Sequence, residues 1–270
     1  MPTLDTTLFD LRGRVALVTG GARHLGFRMA STLARFGASV AVTSRNRESA
    51  ERAAKDIADS TGSKTLGVAL DVRDEDALEK AAALIAAHLG DPDILVNNVG
   101  GTIGETPRHL FERSPNDIRA MLEINLTGPI LCTRQFAPAM ARRGWGKVIN
   151  ISSVAAHVGR DRSVYEESGL AAQPVEYAAA KCGLAGFTRD CAALLGRDGV
   201  RVNSISPGGF ERSGMPDIFR KLYSDRTALR RMGDELGSDL DGAVVFLAST
   251  ASDYITGHDL VVDGGFSFWK

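Results

Sequence analysis

The chain has 270 residues, 44% hydrophobic and 24% charged, with a formal net charge of −1. That is long for one domain but within reach of a single α/β unit, and no basic stripe suits a nucleic-acid partner. No apolar run approaches a membrane span, and the polar, acidic start from Met1 to Asp10 lacks the parts of a secretory signal. The three cysteines, Cys132, Cys182 and Cys191, have no metal-ligand spacing. They read as reduced thiols of a cytoplasmic protein, packed in the core with Cys182 among them, and no metal site is expected.

In chain order, short β-branched runs alternate with longer Ala-rich stretches. Arg14 to Thr19 reads as a buried strand, followed by a Gly-rich turn and a helix from about Leu25 to Phe36 that ends at Gly37. Ser39 to Thr43 is a second strand, Ser49 to Ser60 a helix, and Lys64 to Leu70 a third strand. Asp74 to Leu89 is a helix whose acidic start suits its macrodipole. Ile94 to Val96 is a fourth strand, and Pro115 to Met140 a long helical region with Pro129 at a bend. Lys147 to Ile151, Val200 to Ile205 and Leu260 to Val262 complete seven strands, with helices over Glu176 to Leu195 and Leu240 to Leu247. No repeat or interdomain linker interrupts the chain. Regular βα alternation predicts one domain over 1–270, an open, doubly wound parallel sheet with helices on both faces.

Thr19-Gly-Gly-Ala-Arg-His-Leu-Gly26 lies between the first strand and first helix. A helix N-terminus there offers free N–H groups to a pyrophosphate. The turn resembles the T-G-x-x-x-G-x-G pattern of the short-chain dehydrogenase/reductase family through Thr19, Gly20 and Gly26. His24 takes the place of the middle glycine, where its side chain would crowd the phosphates, shift the loop, or hydrogen-bond a phosphate. Other segments match in the family's order: Asp71-Val72, Asn97-Asn98-Val99-Gly100, and Pro207-Gly208. The resemblance spans nearly the whole chain. It implies a Rossmann-like, NAD(P)-binding catalytic domain with Gly20, Arg23, His24, Leu25 and Gly26 at the phosphates, Asp71 and Val72 at the adenine, and Asn98, Val99 and Gly100 along the cofactor. Pro207 and Gly208 would face the nicotinamide. Ser44 stands where NAD-selective relatives carry an acid, and Arg45 follows it. With no carboxylate to repel a 2′-phosphate, and Arg45 and Arg23 available to pair with one, the pattern favours NADP(H), with NAD(H) as the alternative.

Tyr177-Ala-Ala-Ala-Lys181 puts a phenol and an ammonium one helical turn apart. A nearby positive charge lowers a phenol's pKa, so such a Tyr can exchange protons near neutral pH. By resemblance Tyr177 is the acid/base, Lys181 binds the ribose and lowers the Tyr pKa, Ser153 polarises the substrate oxygen, and Asn125 holds a relay water. Tyr165 lies nearer the usual spacing from Ser153, but four residues beyond it stands Gly169 rather than Lys. Tyr177 follows Ser153 by 24 positions (177 minus 153), about a dozen more than the family pattern. The excess falls in His157 to Glu176, within a variable segment of about 154–176. It is expected either to line the substrate pocket, with Tyr165 facing the ligand, or to form an Ω-like loop.

A second variable segment covers about 209–235. There Arg212 replaces the family's Thr, with Ser213 as a substitute. Phe210, Met215 and Phe219 suit an apolar lid, and Glu211 and Arg212 suit polar groups. The charge in both segments favours a sugar- or polyol-like substrate. Tyr254 to Gly265 resembles the family's C-terminal signature, which implies a homotetramer with Phe266, Phe268 and Trp269 in a subunit contact. The expected reaction interconverts a secondary alcohol and a carbonyl. Alternatives are a 3-oxoacyl-thioester reductase of the same family, or an NADP(H)-sensing protein without turnover, which His24 would suit.

Overall fold

The computed structural model describes residues 7–268. Residues 1–6 lie outside them, as does Trp269, assigned above to a subunit contact. Seven parallel strands form one sheet: β1 (Val15–Val18), β2 (Ser39–Ser44), β3 (Thr65–Ala69), β4 (Ile94–Asn97), β5 (Gly146–Ile151), β6 (Val200–Pro207) and, after a two-stranded pair described below, β9 (Asp259–Val262). Their spatial order is β3-β2-β1-β4-β5-β6-β9. The order reverses between β1 and β4, the switch point where this topology opens a crevice at the carboxyl ends of the strands.

Alternation along each strand builds two cores. Ala16 and Val18 of β1, Val40 and Val42 of β2, and Ile94 and Val96 of β4 face one side. They meet α1 (His24–Arg35), α2 (Arg47–Thr61) and α9 (Asp241–Ala248) through Met29, Leu33, Ile57 and Val244. Val15, Leu17, Ala41 and Leu95 face the other side, against α3 (Glu75–His88), α5 (Gly128–Arg143) and α7 (Val175–Leu195). Because successive side chains point to opposite faces, strands buried on both sides carry apolar runs, as Val15–Val18 and Ile94 to Val96 do.

Local chemistry sets the helix ends. The Asn46 side chain accepts from Ser49 N at 2.7 Å to start α2, and Gly62 closes it in the left-handed region at φ 73°. Asp74 accepts from Ala77 N at 3.0 Å to start α3. The long helix expected over Pro115 to Met140 is two helices, α4 (Pro115–Leu122) and α5, joined by a π-helical turn over Glu123–Thr127. Pro129 lies in the first turn of α5, directly after the π-turn, and the helical backbone runs on through both.

Two short helices not foreseen in the sequence, α6 (Ser163–Glu167) and α8 (Asp217–Asp225), lie in the variable segments. The strands β7 (Phe210–Glu211) and β8 (Gly233–Asp234) pair in parallel beside them. The Cys182 expectation is corrected: Cys132 and Cys191 are buried but Cys182 is exposed, its thiol donating to Ala156 O. The buried face of α7 runs through Tyr177, Ala180, Lys181 and Leu184, and Cys182 lies off that stripe.

Candidate active site

The glycine turn leaves the start of α1 without a side-chain cap, and no acidic residue occupies its first turn. Its free N–H groups and positive end are what a pyrophosphate needs. The turn is drawn close against β4. Asn98 Nδ2 donates to Thr19 O at 3.0 Å and Gly20 O at 3.2 Å, and Asn98 N and Val99 N both donate to Thr19 Oγ1. A Cβ at Gly26 would lie 2.4 Å from both Asn98 Nδ2 and Gly20 O, so only glycine fits. Asn98 thus pins the glycine turn to the end of β4. His24 adopts the left-handed φ of 54°, which explains why glycine suits this place. Its imidazole meets Glu235, with Nδ1 3.1 Å from Oε1, and Leu25 packs inward on the first core.

At the adenine end, Ser44 closes β2 and its hydroxyl accepts from Asn46 N. Arg23 and Arg45 are exposed, and neither has an ion pair among the described residues. Asp71 is held by Arg73 through Nε at 3.0 Å and Nη2 at 2.7 Å. Arg73 hydrogen bonding keeps its carboxyl below the usual range, with a smaller pull from the Arg45 charge. Val72 is buried against Gly128.

At the centre of the crevice, Asn125 sits in the π-turn with its side chain fully occupied by backbone. Oδ1 accepts from Gly101 N at 2.8 Å, and Nδ2 donates to Gly101 O and Met121 O. This accounts for an Asn inside a helical region. A side-chain carbon at Gly100 would lie 2.7 Å from Asn125 Oδ1 and 3.3 Å from Lys181 Nζ, so the three positions converge. Lys181 is 3% exposed and donates to Ile151 O at 2.8 Å. Burial pulls its pKa from 10.5 to about 8.

The Tyr177 ring lies 5.7 Å from Lys181 Nζ. Burial pushes the Tyr177 phenol up, while hydrogen bonding with Ser153 and Gln173 and the charges of Arg160 and Arg212 oppose it. The expectation of a phenol drawn below its ordinary value by Lys181 is therefore not met in this structure. Burial dominates, and the ammonium is turned onto a carbonyl. Gly208 N donates to Val262 O at 2.9 Å, placing Pro207-Gly208 at the end of β6 beside β9.

Three buried polar features were not legible as site residues. Asn97, Asn150 and Thr188 form a chain: Asn97 Nδ2 donates to Asn150 Oδ1 at 2.9 Å, and Asn150 Nδ2 to Thr188 Oγ1 at 2.9 Å. It ties β4, β5 and α7 together beneath the centre. Arg113, with a fully buried side chain, donates from Nε to Glu176 Oε1 at 2.6 Å and also bonds Ile103 O. The pair anchors the first turn of α7, one residue before Tyr177. Arg160 lies 5.4 Å from the centroid of the Tyr177 ring. Charged residues in a helical or loop pattern read as solvated faces, so nothing in the sequence marked Arg113 as buried or Arg160 as drawn in beside Tyr177.

The segment 154–176 is no bare Ω loop. Tyr165 packs edge-on against Phe219 at 5.2 Å, and Val164, Met215, Phe219, Tyr223 and Met232 form a separate apolar cluster joining α6 to α8. Asp161 pairs with Arg226 at 2.7 Å across the two segments. Phe210 is corrected from lid to core, because it packs with the first sheet face and under Gly233. Phe266 stacks on Tyr223 within the same chain at 4.6 Å. Arg212 is exposed and reaches Glu235 at 3.5 Å. Among the described residues no three His, Cys, Asp or Glu side chains are grouped to hold a metal, and no helix is long and apolar enough to cross a membrane.

Strand order, an uncapped helix behind a glycine turn, and a buried Tyr–Lys pair at the carboxyl edge define a dinucleotide-binding oxidoreductase architecture. Known proteins agree. The family model described as Enoyl-(Acyl carrier protein) reductase matches residues 20–267. The chain is 35% identical over 268 residues to 2-dehydro-3-deoxy-D-gluconate 5-dehydrogenase of Formosa agariphila, covering 97% of this chain and 96% of that one. It is 34% identical to 3-oxoacyl-(acyl-carrier-protein) reductase FabG of Aquifex aeolicus, covering 94% and 98%. A crystal structure of gluconate 5-dehydrogenase from Burkholderia cenocepacia in complex with NADP and tartrate superposes with a TM-score of 0.86 at 33% identity, covering 97% and 98%. The chain belongs to the short-chain dehydrogenase/reductase family and is an NAD(P)-dependent oxidoreductase of the alcohol dehydrogenase type.

Proposed function

We propose that this enzyme interconverts a secondary alcohol and a carbonyl on a sugar- or polyol-like substrate, with NADP(H) as preferred cofactor and Tyr177 as acid/base. The observation carrying the reading is the buried pair Tyr177 and Lys181, with half-buried Ser153 acting on the phenol and Gly100 and Asn125 closing on Lys181, at the carboxyl edge of the sheet that also carries the uncapped α1 and glycine turn. The nicotinamide, when bound, accepts or supplies the hydride. In oxidation, Ser153 and Tyr177 hold the substrate oxygen, and Tyr177, ionised once its own proton has left through the relay, receives the alcohol proton as the C–H bond yields the hydride. Lys181 holds positive charge one turn from the phenol and is placed to bind the ribose. The side chain of Asn125 fixes the Gly101 backbone that borders this site, and its backbone is available to a relay water. In reduction the proton returns from Tyr177 to the new alkoxide.

Gly20, Arg23, His24, Leu25 and Gly26 would border the phosphates, with Asp71, Val72, Asn98, Val99, Gly100, Pro207 and Gly208 along the remainder. The lack of an acid at Ser44 and the free guanidinium groups of Arg45 and Arg23 support the NADP(H) preference, as does the NADP in the Burkholderia enzyme. The names of two relatives support a polar sugar-acid or polyol substrate. The identity to the 3-oxoacyl reductase supports a second reading, a thioester ketone. We also expect a homotetramer in a reducing cytoplasm; the fully exposed Tyr254 and the exposed Phe268 suit a subunit contact. Steady-state rates over sugar acids, polyols, cyclic ketones and thioester ketones, each with NAD(H) and NADP(H), test the reading. It predicts the highest kcat/KM for a sugar-derived substrate with NADP(H). A thioester preference would replace it, and NADPH binding with no turnover across the panel would favour a sensor.

A further inference from the structure

Arg160 is a half-buried charge that the reaction above leaves without a task. Its guanidinium sits 5.4 Å from the centroid of the Tyr177 ring. One arm, Nη1, donates to Gln173 O at 3.0 Å. The other, Nη2, is buried with no hydrogen-bond partner. Among the described residues Arg160 forms no ion pair, and the groups acting electrostatically on it are Tyr165, Tyr177, Tyr223 and the like-charged Arg162. Burial depresses its basicity, so the fold holds this cation at a cost. A buried charge and an unbonded N–H are each unfavourable unless a partner completes them.

Geometry links this group to the reacting hydroxyl. Gln173 holds Arg160 through its carbonyl, and its side chain also favours the ionised form of Tyr177, so both groups answer to one residue. Arg212, from the second variable segment, adds positive charge felt at Tyr177. Asp161, the acid adjacent in sequence, is committed to Arg226 and Ser163 and is no counter-ion for Arg160. A planar fork with a free arm suits the two oxygens of a carboxylate.

We propose that Arg160 binds the carboxylate of a hydroxy- or oxo-acid substrate beside Tyr177, and that the inserted segment 157–176 serves to bring this guanidinium into the site. The proposal rests on the oxidoreductase reading and narrows its substrate to an anion. It makes Arg160 a specificity residue, separate from the proton transfer.

The test compares gluconate with its neutral counterpart glucitol and with glucitol 6-phosphate, in the wild-type enzyme and in Arg160→Met and Arg160→Lys. Binding is read by calorimetry on the NADP-loaded Tyr177→Phe protein, where turnover does not intervene, and kcat/KM is read in the Tyr177 background. Arg160→Met should weaken gluconate binding about 30-fold or more, the loss of a charged hydrogen-bonded partner, and leave glucitol within about 3-fold. Arg160→Lys, which keeps the charge and loses the fork, should recover part of the acid preference. Equal losses for acid and neutral ligand in both variants would mean a structural role and overturn the proposal. So would tighter binding of the phosphate ester than of the acid, or no preference of the wild type for gluconate. Turnover of neutral polyols without Arg160-dependent acid binding sinks this inference alone. Arg160-dependent acid binding without turnover of any substrate sinks the oxidoreductase reading alone.

Discussion

Replacing Lys181 by Met should make the protein more stable while removing its activity. In the folded chain the Lys181 ammonium loses its proton near pH 8, against 10.5 when exposed, because burial disfavours the charged form. At neutral pH that difference amounts to roughly 3 kcal/mol against the fold, at about 1.4 kcal/mol per tenfold change in proton affinity. Met has similar length and no charge. Its cost is the bond from Nζ to Ile151 O, about 1 kcal/mol. The net expectation is a variant about 2 kcal/mol more stable at neutral pH, or about 4 °C higher in Tm for a chain of this size.

The sign can be checked against pH. Between about 8 and 10.5 the unfolded chain holds a proton that the folded chain has released, so this group's penalty fades as pH rises. Below about 8 it is present in full. Urea unfolding of both proteins at one concentration, from neutral to alkaline pH, should show the variant's advantage shrinking through that window. A variant less stable than wild type at neutral pH, or an advantage independent of pH, would refute the reasoning.

Arg113→Met strands the buried Glu176 carboxylate and should cost about 3–5 kcal/mol, read as a Tm fall; Arg113→Met with Glu176→Met should recover most of it, and a double variant no better than the single would contradict the pairing. Arg45→Asp should lower the NADP/NAD ratio of kcat/KM by about 10- to 100-fold, and an unchanged ratio removes Arg45 from the 2′-phosphate. His24→Gly relieves a left-handed φ but gives up the Glu235 contact, so NADPH affinity measured by fluorescence should stay within about 3-fold. Tightening beyond about tenfold would mean that the imidazole does obstruct the phosphates.

The strands were legible because both faces of the sheet are covered, which leaves Val15 to Val18 or Ile94 to Val96 no polar position to blur the signal. The glycine turn was legible from its place between a strand and a helix. What escaped depends on distant partners. Glu123–Thr127 carries no sequence mark of a π-turn, since the Gly101 backbone that Asn125 bonds lies 24 residues away in the chain. Short α6 and α8 are stabilised by packing on each other through Tyr165 and Phe219 rather than by length. Arg113 and Arg160 looked like surface charge because what draws them in, Glu176 for the one and the Gln173 carbonyl for the other, lies farther along the chain. Cys182 was misplaced because which stripe of α7 faces the sheet is set by packing, and that stripe takes Ala180 and Lys181 but leaves Cys182 out.

The central claim is that Tyr177, rather than Tyr165, exchanges the proton. Tyr177→Phe and Tyr165→Phe, each assayed for NADP(H)-linked turnover and for NADPH affinity, test it most directly. Tyr177→Phe should lose about 10²–10⁴-fold in kcat with NADPH binding little changed, while Tyr165→Phe, whose ring packs on Phe219, keeps most of its turnover. Substantial turnover in Tyr177→Phe together with a silent Tyr165→Phe would contradict the assignment.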